Sequence, residues 1–359
     1  MSSLHFHTLK IKEVRKETAD CVSIAFEIPA DLKNIFTYTQ GQNITLRKTL
    51  NGEEVRRSYS LCSSPLEDDY RIAVKAVPGG SFSSFATLQL KAGDAIEVMP
   101  PTGSFNTPLS SSNKKKYIAF AAGSGITPIL SIVKTTLATE PDSSFTLVYG
   151  NKNSQSIMFK EELEGLKNKY MSRFSLVHVL SREVTDATIN TGRIDATKCN
   201  DLFTKHVSIT ADEFFICGPE EMIFCVRDYL LSKNIPKDKI HFELFTSSAA
   251  KPVLAQVTQQ ASTNANASIV TVILDGRTFS FELAYKGQSI LDAALKQGAD
   301  LPYSCKGGVC STCRAQVTHG EVEMDVNYAL DDNEVADGFV LACQSHPKTS
   351  AVTIDFDAV

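Results

Sequence analysis

Residues 117–137 read YIAFAAGSGITPILSIVKTTL, a run of apolar and small residues, a glycine turn at Gly123-Ser124-Gly125, then a second apolar stretch. A strand that is apolar on both faces belongs in a parallel sheet covered by helices. The turn opens such a helix, Ile126–Leu137, with Pro128 in its first turn, where a missing N–H costs little. Glycine admits a ligand close to the backbone, and the free N–H groups of a helix start favour an anion. In this strand–turn–helix context Gly123, Gly125 and Thr127 read as a phosphate cradle for a dinucleotide. The run is not a full G-x-G-x-x-G, so a turn serving packing alone is the competing reading.

The same rhythm continues downstream, with strands Phe145–Tyr149, Phe174–Leu180 and Glu213–Cys217 and helices Phe159–Lys169 and Glu220–Ser232. Strands alternating with helices predict an α/β domain on a parallel sheet. Cys217-Gly218-Pro219 closes one of those strands at its carboxyl end, where open α/β sheets bind ligands. Ser181-Arg182 stand just past the third strand. A hydroxyl and a guanidinium there suit a 2′-phosphate, hence NADPH, whereas users of NADH place an acid near the ribose. Lys152 is a second cation for the same group, and a solvated loop is the plain alternative.

Upstream, residues 5–110 carry short β-rich segments: Phe6–Val14, Cys21–Ile28, Asn43–Arg47, Tyr70–Val77 and Ala95–Met99. Turns of Gly, Pro and Asn separate them, which predicts an antiparallel barrel or sandwich. Arg57-Ser58-Tyr59-Ser60 ends a barrel strand. An arginine beside an aromatic and two hydroxyls matches the phosphate, ring face and N5/O4 edge of a flavin. Pro78–Phe85, PGGSFSSF, then opens a helix whose Gly80, Ser81 and Ser83 lie where a pyrophosphate would sit.

Four cysteines near the C-terminus follow C-x4-C-x2-C-x29-C: Cys305, Cys310, Cys313 and Cys343. That is the spacing of a [2Fe–2S] centre, whose potential of roughly −400 mV is tuned by N–H groups aimed at sulfur. Lys306-Gly307-Gly308-Val309 supplies a tight, glycine-containing loop for such N–H groups. A zinc site would more often pair two C-x2-C knuckles or add histidine. The other five cysteines are scattered singly, and the seven histidines offer no pair at ligand spacing apart from His5 and His7.

The chain of 359 residues suggests two or three domains at roughly 150 residues each. With 43% apolar and 21% charged residues it has the composition of an ordinary soluble protein. No run is long and apolar enough to span a membrane, and the N-terminus lacks the apolar core of a signal peptide, so a cytoplasmic location is expected. Residues 269–359 hold 13 acids against 6 bases, a net charge of −7, while the remainder carries +2. An acidic small redox domain suits a basic docking surface, and no basic stripe points to nucleic acid. Residues 249–268, AAKPVLAQVTQQASTNANAS, read as a linker of roughly 25 Å r.m.s. span if flexible.

Together RSYS, PPTGSF (100–105), GSGITP and CGPEEM (217–222) resemble the ferredoxin–NADP reductase superfamily across residues 1–245. YSCKGGVCSTC (303–313) with LACQ (341–344) resembles a plant-type ferredoxin. This domain order is similar to that of the oxygenase reductases, most of all the reductase subunits of phenylacetyl-CoA epoxidases. Relatives serve ring-hydroxylating dioxygenases, desaturases, steroid hydroxylases and the hybrid-cluster protein. The resemblance implies a flavin barrel over 1–110, a nucleotide domain over 111–248, a linker over 249–268 and a β-grasp ferredoxin domain over 269–359. It implies FAD, though one relative uses FMN, and it implies NADPH, a [2Fe–2S] cluster and a terminal oxygenase as acceptor. By the same resemblance Arg57, Ser58, Tyr59 and Ser60 bind the flavin. Tyr59 stacks on its ring, Ser60 reaches N5, and Gly218, Pro219 and Cys217 lie at the nicotinamide. The tripeptide Ser181-Arg182-Glu183 matches the NADP-selecting pattern. From position rather than resemblance, Phe245, in the strand His241-Phe-Glu-Leu-Phe that ends the reductase part, is expected to shield the flavin's far face. A sensor module with a degenerate flavin site would need these motifs broken, and an enzyme acting on its own substrate would need a catalytic constellation that the chain does not display.

Overall fold

The computed structural model describes residues 5–205, 207–245 and 267–358. The chain forms two units, one running from Phe6 to Leu244 and one beginning at Phe245. The first opens with strands β1 (His7–Thr18), β2 (Cys21–Glu27), β3 (Asn43–Leu50), β4 (Glu53–Ser60) and β5 (Arg71–Lys75). Helix α1 (Ser81–Leu88) and strand β6 (Ala95–Val98) complete this region. The strands pair in the order β4-β3-β6-β1-β2-β5, antiparallel throughout. A bridge between Leu61 and Ile72 joins the two ends of that order, so the sheet curls into a barrel. Alternate residues Leu9 and Ile11, and Ile44 and Leu46, fill its interior at 1% exposure or less, the period of two that a half-buried strand requires. The Asn51-Gly52 turn, with φ of 53° and 84°, has the left-handed geometry of a two-residue hairpin. It sets the register that places Ser58 opposite Thr45 and Tyr59 opposite Ile44.

Next come β7 (Lys116–Ala122), α2 (Ile126–Thr139), β8 (Ser144–Asn151), α3 (Lys160–Lys169) and β9 (Phe174–Leu180). They are followed by α4 (Ala196–Lys205), β10 (Glu213–Cys217), α5 (Glu220–Ser232) and β11 (Ile240–Glu243). The five strands form a parallel sheet in the order β11-β10-β7-β8-β9. The chain winds outward from β7 through β8 to β9, then returns to the other side of β7. The order therefore reverses between β7 and β10, and the crevice beyond their carboxyl ends is the ligand-binding place of such sheets. The strands and helices expected here are present. Helix α4 is an addition, since only Cys199 and Leu202 of its ten residues are buried and its apolar stripe is thin.

The second unit holds β12 (Ala267–Leu274), β13 (Arg277–Ala284), α6 (Ile290–Lys296) and β14 (Arg314–His319). Then follow β15 (Val322–Met324), α7 (Asp332–Ala336), β16 (Phe339–Leu341), β17 (Ser345–Pro347) and β18 (Ala351–Asp355). Its main sheet runs β13-β12-β18-β14-β16, with β12 and β18 parallel, and β15 pairs with β17. Helix α6, capped by Ser289 Oγ accepting from the Asp292 N–H, buries Ile290, Leu291, Ala293 and Ala294. A mixed sheet with one crossing helix is the β-grasp arrangement expected. Strand β12 starts at Ala267, two residues inside the stretch read as linker, because Ala267 and Ser268 pair with Ala284 and Leu283. The rest of the supposed linker, 249–266, lies outside the described residues. No described helix is long and apolar enough to cross a membrane.

Candidate functional site

Two turns meet at the switch point. Gly123, directly after β7, has φ of 54°, and the space around it is open, so backbone conformation is what calls for glycine there. Gly125 is held to glycine by space instead. A Cβ on it would lie 2.2 Å from the Cys217 carbonyl oxygen and 2.7 Å from the Gly218 nitrogen. A Cβ on Gly218 would lie 3.1 Å from the Ala122 nitrogen. The turns after β7 and β10 thus press backbone on backbone, leaving α2 and α5 to start side by side, α5 with Pro219 as its cap. Thr127 is buried and its Oγ1 donates to the Ser124 carbonyl (3.1 Å), so its hydroxyl braces the turn. Cys217 is fully buried, and that burial pushes its thiol well above the usual range, leaving it neutral.

The barrel contributes to the same place. Ser60, last residue of β4, donates its Oγ proton to Glu243 Oε2 at 3.0 Å. Glu243 lies level with Cys217 in the parallel register, and Cys217 level with Ala121. A hydroxyl, a carboxylate and a buried thiol therefore converge over the carboxyl end of the sheet. Glu243 was not among the residues singled out from the sequence. Its signal was an acid in the run IHFELF, which is apolar apart from His241 and of which β11 takes the first four residues. Along β4, Ser58 Oγ lies 3.1 Å from Thr45 Oγ1, and Arg57 donates to the Arg56 carbonyl (2.7 Å) with its side chain otherwise exposed. The Tyr59 ring packs against Phe82 of α1, centroids 5.7 Å apart at 33°. That contact brings the Arg57–Ser60 segment alongside the start of α1. Gly80 caps α1 with no side-chain hydrogen bond, leaving its first N–H groups as donors, and Ser81 is exposed beside them. Ser83 is spent on the turn: its Oγ accepts from the Val77 N–H (3.1 Å) and donates to the Gly80 carbonyl (3.4 Å). An aromatic face, an exposed guanidinium and a helix start fit a flavin and its phosphates.

At the carboxyl end of β9 the ladder continues past the strand. Ser181 N–H donates to the Asn151 carbonyl (2.9 Å) and Arg182 N–H to the Lys152 carbonyl (2.7 Å). The side chains of Ser181, Arg182 and Lys152 are exposed there. The neighbouring acid is committed elsewhere: Glu183 accepts from Ser154 N–H (2.7 Å) and Ser154 Oγ (2.9 Å), which holds its carboxyl below the usual range. Phe245 falls at the start of the second unit and is 37% exposed.

In that second unit the four cysteines fall into two sulfur pairs. Cys310 Sγ lies 3.1 Å from Cys305 Sγ, and Cys313 hydrogen-bonds Cys343. Among the described residues no three ligands converge on a single metal point. Four thiols gathered in two close pairs would suit a [2Fe–2S] cluster, which is held by four cysteine thiolates. The loop between the first two cysteines is shaped for sulfur. Lys306 and Gly308 have φ of 52° and 72°, and a Cβ on Gly308 would lie 2.9 Å from Val326 Cγ2. The Cys310 thiol together with the N–H groups of Gly307 and Val309 draws the Cys305 thiol down to about 7. Cys313, the Gln344 side chain and the Gly308 N–H lower Cys343 in the same way. Within each pair the partner thiol, Cys310 or Cys313, is raised in turn because it donates to the lowered sulfur and is buried, while the backbone N–H groups are donors of the kind that tune a cluster.

The chain matches three family models: "Oxidoreductase FAD-binding domain" over residues 8–107, "Oxidoreductase NAD-binding domain" over 120–228 and "2Fe-2S iron-sulfur cluster binding domain" over 272–348. It is 44% identical to a subunit of the 1,2-phenylacetyl-CoA epoxidase of Escherichia coli, over 98% of both chains. It is 35% identical to the ferredoxin reductase component of 3-ketosteroid-9-alpha-monooxygenase of Rhodococcus rhodochrous, over 97% of this chain and 96% of that one. Among solved structures it is similar to phthalate dioxygenase reductase, with a TM-score of 0.58 and 26% identity over 98% of each chain.

Proposed function

We propose, on the premise that this chain belongs to the family of oxygenase reductases with FAD-binding, NAD-binding and 2Fe-2S domains, that it carries electrons from NADPH through FAD and the cluster to a phenylacetyl-CoA epoxidase. The observation that carries the acceptor is the 44% identity to an epoxidase component along nearly the whole of both chains. The Ser60–Glu243 contact at the switch point supports the redox step, because it sets a barrel hydroxyl where a dinucleotide's reactive end would lie.

FAD held at Arg57–Ser60 and the start of α1 would supply the exchange between a two-electron hydride and single electrons, and a [2Fe–2S] cluster held by the four cysteines would supply one-electron relay. The residues supply placement. The turns at Gly123-Ser124-Gly125 and Gly218-Pro219 admit the dinucleotide, and Thr127 braces the first of them. Arg57 and the start of α1, with Gly80 and Ser81, hold the flavin phosphates, while Tyr59 covers the ring. Ser58 steadies the strand through Thr45. Ser60, oriented by Glu243, presents its hydroxyl to the ring edge, and neutral Cys217 packs beside the nicotinamide without contributing charge. Ser181, Arg182 and Lys152 receive the 2′-phosphate. Cys305, Cys310, Cys313 and Cys343 hold the cluster. In this reading the flavin barrel covers 1–110, the nucleotide domain 111–248 and the ferredoxin domain 269–359, and the protein works in the cytoplasm, where its scattered free cysteines stay reduced.

Reconstitution with the other, purified epoxidase components tests this. NADPH consumption should depend on phenylacetyl-CoA and on the epoxidase together. A protein that reduces ferricyanide with NADPH yet passes no electrons to the epoxidase would overturn the acceptor assignment.

A further inference from the structure

Beneath the Gly123 turn lies a side chain that none of these roles uses. Tyr149, near the end of β8, is fully buried, and its hydroxyl donates to the Gly123 carbonyl at 3.0 Å. Burial raises the pKa of that hydroxyl well above the usual range, so it stays protonated. Its proton is aimed at the Gly123 carbonyl. The Gly123 carbonyl also accepts from the Ile126 N–H. In a trans peptide C=O and N–H point in opposite directions, and no peptide bond here is cis. With the Gly123 carbonyl held inward, the Ser124 N–H faces the crevice. The next peptide is pinned likewise, since the Ser124 carbonyl accepts from Thr127 Oγ1 and the Ile126 N–H, which turns the Gly125 N–H the same way. A glycine at φ of 54° with open space around it has little of its own to stop that peptide rotating.

We infer that Tyr149 is a positioning residue for the dinucleotide's pyrophosphate: its buried hydroxyl locks the Gly123–Ser124 peptide so that consecutive N–H groups face the anion before it arrives. Preorganised donors lose less freedom on binding, which is where the affinity comes from. This rests on the reading of the Gly123 turn as the pyrophosphate site.

The test uses the full-length holoprotein and two probes, NADP⁺, which has a pyrophosphate, and 2′-AMP, which does not. In Tyr149→Phe, NADP⁺ affinity should fall about three- to tenfold, the scale of one neutral hydrogen bond, while 2′-AMP affinity and flavin and iron content stay as in the wild type. Equal loss for both probes, or loss for neither, overturns the role of Tyr149. Gly123→Ala separates the two readings. If it weakens NADP⁺ while Tyr149→Phe does not, the turn binds the anion without help from the tyrosine. If both variants bind NADP⁺ normally, the turn is not the pyrophosphate site at all. Should Tyr149→Phe fold poorly, amide exchange in the wild type decides: NADP⁺ should protect the Ser124 N–H and 2′-AMP should not, and an unprotected Ser124 refutes the proposal.

Discussion

Gly125→Ala probes how closely the two switch-point turns must approach. The added methyl would sit 2.2 Å from the Cys217 carbonyl oxygen, against 3.4 Å for ordinary contact, so the turns must part by about 1.2 Å. The nearest atoms are all backbone of Cys217 and Gly218, so no side chain can swing aside. Overpacking of this kind costs about 1–3 kcal/mol of stability. A shift near 1 Å between reacting groups costs on the order of a hundredfold in rate. Anaerobic stopped-flow mixing with NADPH, followed by flavin bleaching, should therefore show flavin reduction slowed by about two orders of magnitude, with dithionite reduction unaffected. Gly165→Ala is the matched control: it lies in α3 with nothing within 4 Å of the added Cβ, and should gain roughly 0.5–1 kcal/mol from helix propensity with no kinetic change. A Gly125→Ala protein that is reduced by NADPH at the wild-type rate would refute the reasoning, since the crevice would then tolerate the opening.

Arg182→Ala should lower kcat/KM for NADPH about ten- to a hundredfold, the scale of a charge-assisted contact, with little change for NADH; equal losses would remove Arg182 from the 2′-phosphate site. Truncation after Ser248 should leave a flavoprotein that reduces ferricyanide with NADPH but not cytochrome c, and Cys310→Ser in the full chain should behave alike, with its iron content collapsed from about two per chain; oxygenase turnover at near full rate from either would take the cluster off the electron path. Burial would raise the Glu213 carboxyl, but hydrogen bonds from His241 (3.0 Å) and Lys115 (2.7 Å) outweigh it and hold the carboxyl below its usual 4.5. A lowered folded value means stability present above 4.5 and lost as pH falls below it, so the melting temperature of the truncated protein should drop there, and Glu213→Gln should flatten that drop.

Much of this molecule is local and was readable as such. The run from Tyr117 to Leu137 specifies strand, turn and helix through its own periodicity, and the four cysteines specify cluster chemistry through spacing alone. The strand at Phe174–Leu180 and the helix at Glu220–Ser232 fall where the pattern predicts them. The thin stripe of α4 was hard to see because few of its residues carry a periodic signal, whereas the strand at His241–Phe245 is legible and β11 covers its first residues. The role of Ser83 was equally hidden, since a hydroxyl near a helix start looks the same whether it faces a phosphate or closes its own turn.

By itself, the sequence determined which chemistry this protein can hold: glycines where backbone must approach closely, thiols at cluster spacing, and cations past the third strand. Only the tertiary structure decided which residues act together. Glu243 stands beside Ser60, 183 positions away in the chain, because β11 adds to the sheet next to β10 and the barrel's β4 ends against it. Tyr149 reaches Gly123 because parallel pairing sets β8 beside β7. Periodicity and spacing report what a segment does to its own backbone; contacts between segments follow from how sheets order their strands, and no single segment records that order.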